Sequence, residues 1–140
     1  GYINLATLLE IALNHGSDIQ YGLSLLEPDS VQPASFEDFY QRYLDCLRAG
    51  EQLQIEESLL TDEIHREILP LPFVSLFLDD CVARGLDCTN GGAVYNTTGL
   101  VAVGTATVAD SLYAIKRLVY DGKKLTLGEL KVRSICGSSF

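Results

Sequence analysis

The stretch GGAVYNTTGLVAVGTATVADSLYAIK at residues 91–116 holds four glycines, two short β-branched runs and an amphipathic helical pattern. A strand, glycines and a helix in that order suggest a phosphate held at a helix start. The spacing argues against it. GLVAVG at 99–104 has the glycine spacing of a P-loop, but Thr105 and Ala106 stand where the lysine and the hydroxyl belong. Gly99 and Gly104 do not make the dinucleotide fingerprint G-x-G-x-x-G either. Glycines in or beside a strand also let another backbone or a ligand come close. The stretch therefore reads as a tightly packed strand lining an interior.

The other reactive side chains are scattered. Cys46, Cys81, Cys88 and Cys136 are separated by 35, 7 and 48 positions, which matches no zinc spacing. Cys46 and Cys81 fall in helical patterns and Cys88 in a turn, so they read as reduced thiols. His15 and His65 sit near helix ends, where a cation is favoured, and read as surface residues rather than ligands. Asp79 and Asp80 invite a catalytic reading. Neighbours on a helix point about 100° apart, so the two read as solvated or capping groups.

Composition narrows the function classes. The chain has 140 residues, 47% of them hydrophobic, and a net charge of −9. That much apolar material excludes a disordered segment. The negative charge disfavours nucleic acid and anionic lipid. No apolar run reaches the roughly 18 residues of a membrane helix, and no signal peptide is visible.

The elements follow from periodicity. YINLATLLEIALNHG reads as a helix from Tyr2, with Leu5, Leu8, Leu9, Ala12 and Leu13 on one face and Gly16 as its stop. Residues 17–34 read as a connecting loop. Ser35 with Asp38 makes a capping box. Phe36, Phe39, Tyr40, Tyr43, Leu44 and Leu47 then form a stripe that continues to Pro70, as one helix or as two joined near Gly50. One helix of that length spans roughly 45 Å, beyond the roughly 30 Å breadth of a compact body of this size. PFVSLFLDDCVARG at 72–85 reads as a single helix with Pro72 in its first turn and Gly85 as its end. It is apolar nearly all round, as in the interior of a large protein. Residues 89–92 read as a turn, 93–96 and 100–105 as extended segments. Thr107 with Asp110 reads as the next helix start, and Val108, Leu112, Ile115 and Val119 as its inner face, ended by Asp121 and Gly122. Thr126 with Glu129 caps a last short helix. The tail RSICGSSF shows no periodicity. The fold class is α/β, dominated by helices. A start that is not Met, inside a helical pattern, points to a piece of a longer protein.

Several motifs together resemble the glycyl radical enzymes. These are LPF at 71–73, GGAVYN at 91–96, VGTA at 103–106, DSLYAIK at 110–116 and NLATLLEIALNHG at 4–16. The likeness is to the pyruvate formate-lyase-like branch that includes glycerol and diol dehydratases and choline trimethylamine-lyase. It runs from Tyr2 to about Leu130. Val101 and Ala102 depart from the usual Gln-Gly, and residues 131–140 do not match.

The resemblance implies that residues 1–140 are one incomplete segment of a ten-stranded α/β barrel. It implies cleavage of a C–C, C–O, C–N or C–S bond in a small metabolite. In the family a backbone glycyl radical passes to a cysteine in a Gly-Cys-x-Glu loop, and the thiyl radical abstracts a substrate hydrogen. Neither that loop nor the radical-glycine loop occurs in this sequence; Cys136 precedes Gly137 rather than following it. The four cysteines therefore inherit no catalytic role, and the segment binds no cofactor or metal of its own. One position carries over. Tyr2, two before Asn4, matches the family's aromatic or hydroxyl residue that faces the substrate pocket. Tyr95, Asn96 and Thr98 read as ordering the strand near the barrel interior, and Asp110 as a helix-start residue. The implied partners are the rest of the barrel, a radical S-adenosylmethionine activating enzyme and a small-molecule substrate. The implied parent is a cytoplasmic homodimer, and the isolated segment is expected to be inactive. A stand-alone helical interaction module and a degraded gene remnant are the alternatives.

Overall fold

The computed structural model describes residues 1–18, 22–27 and 31–136. Parts of the 17–34 connection and of the 131–140 tail lie outside them. The described chain is dominated by helices. In order the elements are β1 (Tyr2–Asn4), α1 (Leu5–Leu13), α2 (Phe36–Ile68), α3 (Pro72–Ser75), α4 (Cys81–Arg84), β2 (Val101–Val103), α5 (Thr105–Ile115) and α6 (Leu127–Cys136). A 3-10 turn occupies Cys88–Asn90, and a π-helical stretch, Lys116–Asp121, continues α5. The two strands pair into a two-stranded sheet. Among the described residues no helix is long and apolar enough to cross a membrane.

The chain divides into two compact units. One joins Tyr2–Glu51 with Ala102–Phe140, and the other holds Gln52–Val101 together with Gly1. The larger unit has the core. Leu8, Leu9, Ile11 and Ala12 of α1 pack with Phe39, Tyr43 and Cys46 of α2 and with Val108 and Ile115 of α5. These are the positions that helical spacing brings to one side. Phe39 and Cys46 are fully enclosed, and burial pushes the Cys46 thiol up to about 11.

Two helix starts follow the expected chemistry. The Ser35 Oγ accepts the Asp38 N–H at 3.1 Å while the Asp38 carboxylate accepts the Ser35 N–H at 3.0 Å. Thr126 and Glu129 exchange the same pair of bonds at 3.2 and 2.8 Å. Each pair satisfies two donors that the first helical turn leaves open.

Other starts and stops differ from expectation. Tyr2 and Ile3 are strand rather than helix, because Asn4 caps α1 and fixes its start at Leu5. α1 stops at Leu13, and His15 with φ 60° follows the Asn14 cap directly, one residue before Gly16, whose φ of 89° is positive as well. The Gly16 N–H then closes the helix end on the Ile11 carbonyl at 2.9 Å. α5 begins at Thr105, two residues before Thr107, because Gly104 with φ 88° is its cap. Asp110 thus lies in mid-helix. The extended segment expected at 93–96 is a run of bends, and that at 100–105 shrinks to Val101–Val103. α6 carries Arg133 to Cys136 in helix although those residues show no periodicity.

The single helix expected over 72–85 is broken. Pro72 does open α3, and Gly85 with φ 63° ends α4. Between them Asp80 adopts φ 72°, a left-handed turn that Asp tolerates better than most residues. Asp79 and Asp80 therefore sit in a turn and not on a helix.

Gly50 does not divide α2, which is one helix of 33 residues. A Cβ at Gly50 would lie 2.9 Å from Leu8 Cδ2, so the glycine makes room for α1. The obstacle is the end of a flexible side chain. Gly50→Ala is expected to change stability by less than ~1 kcal/mol, since helix propensity offsets the crowding. A denaturant melt checks this.

Candidate functional site

Tyr2 is the residue that sequence singles out, and the local structure sets its direction. In a strand alternate side chains point to opposite faces. Ile3 packs against the core, so Tyr2 and Asn4 take the other face. Tyr2 is 77% exposed. It is therefore not an aromatic that packs on this chain's own core. Asn4 turns the strand into a helix: its Oδ1 accepts the Ala6 N–H at 3.0 Å and the Thr7 N–H at 3.4 Å. Asn4→Ala is expected to cost about 1 kcal/mol through loss of that cap, read from a denaturant melt.

β2 leads into α5 as β1 leads into α1. At the junction a Cβ on Gly104 would have only ordinary contacts, 3.6 Å from the Ala6 nitrogen and from Asn4 Oδ1. Its positive φ, not a close approach, explains the glycine. Gly99 faces open space, and β2 is exposed along its length. The expected tightly packed glycine strand is thus corrected: within this chain β2 is open. The close approach falls instead on Gly92, where a Cβ would come within 2.7 Å of Cys81 Sγ.

That contact belongs to the smaller unit, which is organised by Asp87. Its Oδ1 accepts the Thr89 hydroxyl at 2.7 Å, the Thr89 N–H at 2.9 Å and the Leu71 N–H at 3.1 Å. Its Oδ2 lies 2.9 Å from the Ser75 hydroxyl, which also accepts the Cys88 N–H at 2.9 Å. The Thr89 hydroxyl above all, then the backbone N–H groups and Ser75, holds the Asp87 carboxyl far below the usual carboxylate range, against burial that pushes it up. Arg84 donates to the carbonyls of Gly91 and Gly92 at 2.9 and 3.0 Å. The sequence held one local sign of this cluster, an Asp two residues before a Thr, which is a turn signal.

The Asp87 shift has a sign. A carboxyl lowered in the folded state contributes stability that is complete above its unfolded value of about 3.9 and is lost as pH falls towards the folded value. Acid melts of the chain are expected to lose this contribution only below about pH 4, whereas Asp87→Asn, which lacks the ionisable group, lacks that part of the acid dependence.

The remaining candidates do not converge. Tyr95 on the bends after Gly92 and Asn96 just beyond them are exposed, and neither is on a strand. Thr98 donates its hydroxyl to Asp62 at 2.9 Å. Asp110 is exposed on α5. Cys46, Cys81 and Cys88 are free thiols. Cys46 and Cys81 are buried, and Cys88 Sγ lies 3.8 Å from the Asp87 carboxylate. His15 follows α1, and His65 lies in the last turn of α2.

A family model described as pyruvate formate lyase-like matches residues 1–135. The chain belongs to that family. It is 35% identical over 134 residues to trans-4-hydroxy-L-proline dehydratase of Clostridioides difficile, which covers 93% of this chain and 17% of the relative. It is 37% identical over 136 residues to (2S)-3-sulfopropanediol dehydratase of Klebsiella oxytoca, covering 92% and 16%. The solved structure of hydroxyproline dehydratase from Clostridioides difficile, with trans-4-hydroxy-L-proline bound, aligns with a TM-score of 0.80 at 33% identity, over 95% of this chain and 17% of that one. The chain is thus a glycyl radical enzyme segment, spanning about one sixth of the length of these relatives. The family match reaches residue 135, five residues beyond Leu130, where the motif resemblance fades.

Proposed function

We propose that the chain is part of the catalytic barrel of a glycyl radical lyase that eliminates water from a small hydroxylated metabolite. The similarity of residues 1–135 to two dehydratases, at 35% and 37% identity, carries the reading. Decarboxylases of the family are less similar, at 28%. The radical, supplied by other parts of the parent and installed by a radical S-adenosylmethionine activating enzyme, provides hydrogen abstraction from a substrate carbon. No residue of this chain takes part in that transfer, so the segment by itself is inactive.

What the chain contributes is a wall and one contact. Tyr2 lines the substrate pocket. Its ring packs against the carbon skeleton, and its phenol exchanges a hydrogen bond with a substrate polar group. The support is its place two residues before the α1 cap and its outward face on β1. The parent works in the cytoplasm as a homodimer.

The test is an assay of the complete reading frame with its activating enzyme. Hydroxyproline, vicinal diols, choline and 2-oxo acids form the panel. Turnover confined to the hydroxylated substrates, with release of water, is the expected result. Cleavage of 2-oxo acids in their place would move the chemistry to C–C bonds and defeat the dehydratase reading.

A further inference from the structure

In the smaller unit a thiol and the peptide leading to a second thiol stand on either side of one glycine. The Cβ position of Gly92 lies 2.7 Å from Cys81 Sγ and 2.8 Å from the Asp87 carbonyl, which belongs to the peptide that leads into Cys88. The Leu86 N–H bonds the Cys81 carbonyl at 3.1 Å, so the chain closes back on α4 before it reaches Cys88. Electrostatics gives the same neighbourhood. Burial pushes the Cys81 thiol up, and Cys88 is the neighbour that pushes it furthest in the same direction. We propose that Cys81 and Cys88 are a redox pair, in which a hydroperoxide oxidises Cys88 and Cys81 closes a disulfide on it. The pair does not depend on the dehydratase reading.

Exposure assigns the two roles. Cys88 is partly exposed, whereas Cys81 is buried, and an oxidant reaches the accessible thiol first. A cavity of about 310 Å³ lined by Ser75, Cys81, Leu86 and Asp87 gives a small peroxide room beside the pair. The peroxide transfers one oxygen to Cys88, which becomes a sulfenic acid, and leaves as an alcohol or water. Cys81 sulfur then attacks Cys88 sulfur. The S–S bond forms, the S–O bond breaks, and the oxygen departs as water with the Cys81 proton. The two thiols supply the two electrons that reduce the peroxide. The raised Cys81 thiol slows the second step, because the thiolate is the form that attacks. Holding both sulfurs in one short loop offsets this. The disulfide ties α4 to the 3-10 turn and is reversible. A sulfenic acid with no thiol to resolve it goes on to sulfinic acid, which is not.

Arg84 lies between the two cysteines, so trypsin separates residues 67–84 from 85–116 and only a disulfide holds those peptides together. The complete enzyme is treated with hydrogen peroxide before its radical is installed, then alkylated and digested without reductant. The expected product is 67–84 joined to 85–116, released by dithiothreitol. Two unmodified thiols, a link from 85–116 to any other peptide, or Cys88 oxidised beside a Cys81 that is still a thiol overturns the pair. In a Cys81→Ala enzyme, sulfinic acid at Cys88 is expected to accumulate about tenfold faster than in the parent, because no resolving thiol remains. Equal accumulation also overturns it. The linkage in the unsubstituted enzyme is read whether or not that variant folds. Mass reports the bond and not turnover. A linked pair in an enzyme that fails to dehydrate any substrate would remove the dehydratase reading and leave the redox pair standing.

Discussion

In the complete enzyme, Tyr2→Ala is expected to lower kcat/KM by about 100-fold, or ~2.7 kcal/mol of transition-state stabilisation. Tyr2→Phe is expected to lower it by about tenfold, the worth of one hydrogen bond to a polar group in a dry site. The two substitutions separate the jobs of ring and hydroxyl. Phe keeps the packing and loses the bond, whereas Ala loses both and opens a cavity beside the substrate. Neither should affect folding of the segment. Tyr2 is largely exposed in this chain, and exposed substitutions shift stability by no more than about 0.5 kcal/mol. Steady-state kinetics across the substrate panel, with a melt as control, decides the matter. A Tyr2→Ala enzyme within twofold of the parent would make Tyr2 an ordinary rim residue and return the pocket contact to other loops.

Local chemistry was legible in the sequence, and non-local chemistry was not. Ser35 with Asp38 and Thr126 with Glu129 are bonded as their spacing suggests, because a capping box closes within four residues. Of the stripe expected on α2, Phe39 and Tyr43 are buried, because burial selects the helical period, whereas Tyr40 and the continuation through Leu53, Leu60, Ile64 and Ile68 are exposed. The break at Asp80 was hidden. PFVSLFLDDCVARG has good local helix character, and what opposes it includes bonds from Asp87 to Ser75 and Leu71, which lie 12 and 16 residues away. Gly50 was ambiguous for the same reason, since its meaning depends on Leu8 in another helix. Gly104 replaced Thr107 as a cap because a left-handed backbone gives no sign in hydrophobic periodicity.

The site was less legible than the fold. Nothing in the spacing of Tyr2, Asn4 and Leu5 distinguishes a pocket residue from a packing one; only the family motif does. The structure adds that the ring turns away from the core. The glycine motif was misassigned in its parts. Gly99 and Gly104 drew attention by their spacing, whereas the position that excludes a side chain is Gly92.

The distinction among these glycines makes a graded prediction. A Cβ at Gly92 would stand 2.7 Å from Cys81 Sγ and 2.8 Å from the Asp87 carbonyl, and would also strike the Leu86 carbonyl. Two of these obstacles are backbone and the third is a buried thiol, so no flexible chain end can yield. The surrounding loop is also fixed, with the Gly92 N–H on the Asp87 carbonyl at 2.9 Å and its own carbonyl held by Arg84. Gly92→Ala is therefore expected to destabilise the smaller unit by ~3 kcal/mol, the upper end of overpacking costs. Gly91 has free space around it but a φ of 69°, so Gly91→Ala is expected to cost about 1 kcal/mol from the left-handed backbone alone. Gly99 has open space and no positive φ, and alanine there is expected to change stability by less than about 0.5 kcal/mol. Amide exchange at Leu86, Asn90 and Gly92, all bonded within this loop, reads the order directly. If Gly92→Ala exchanges no faster than Gly99→Ala, the steric account of the GGAVYN motif fails, and its second glycine would have to serve a contact made by another part of the enzyme.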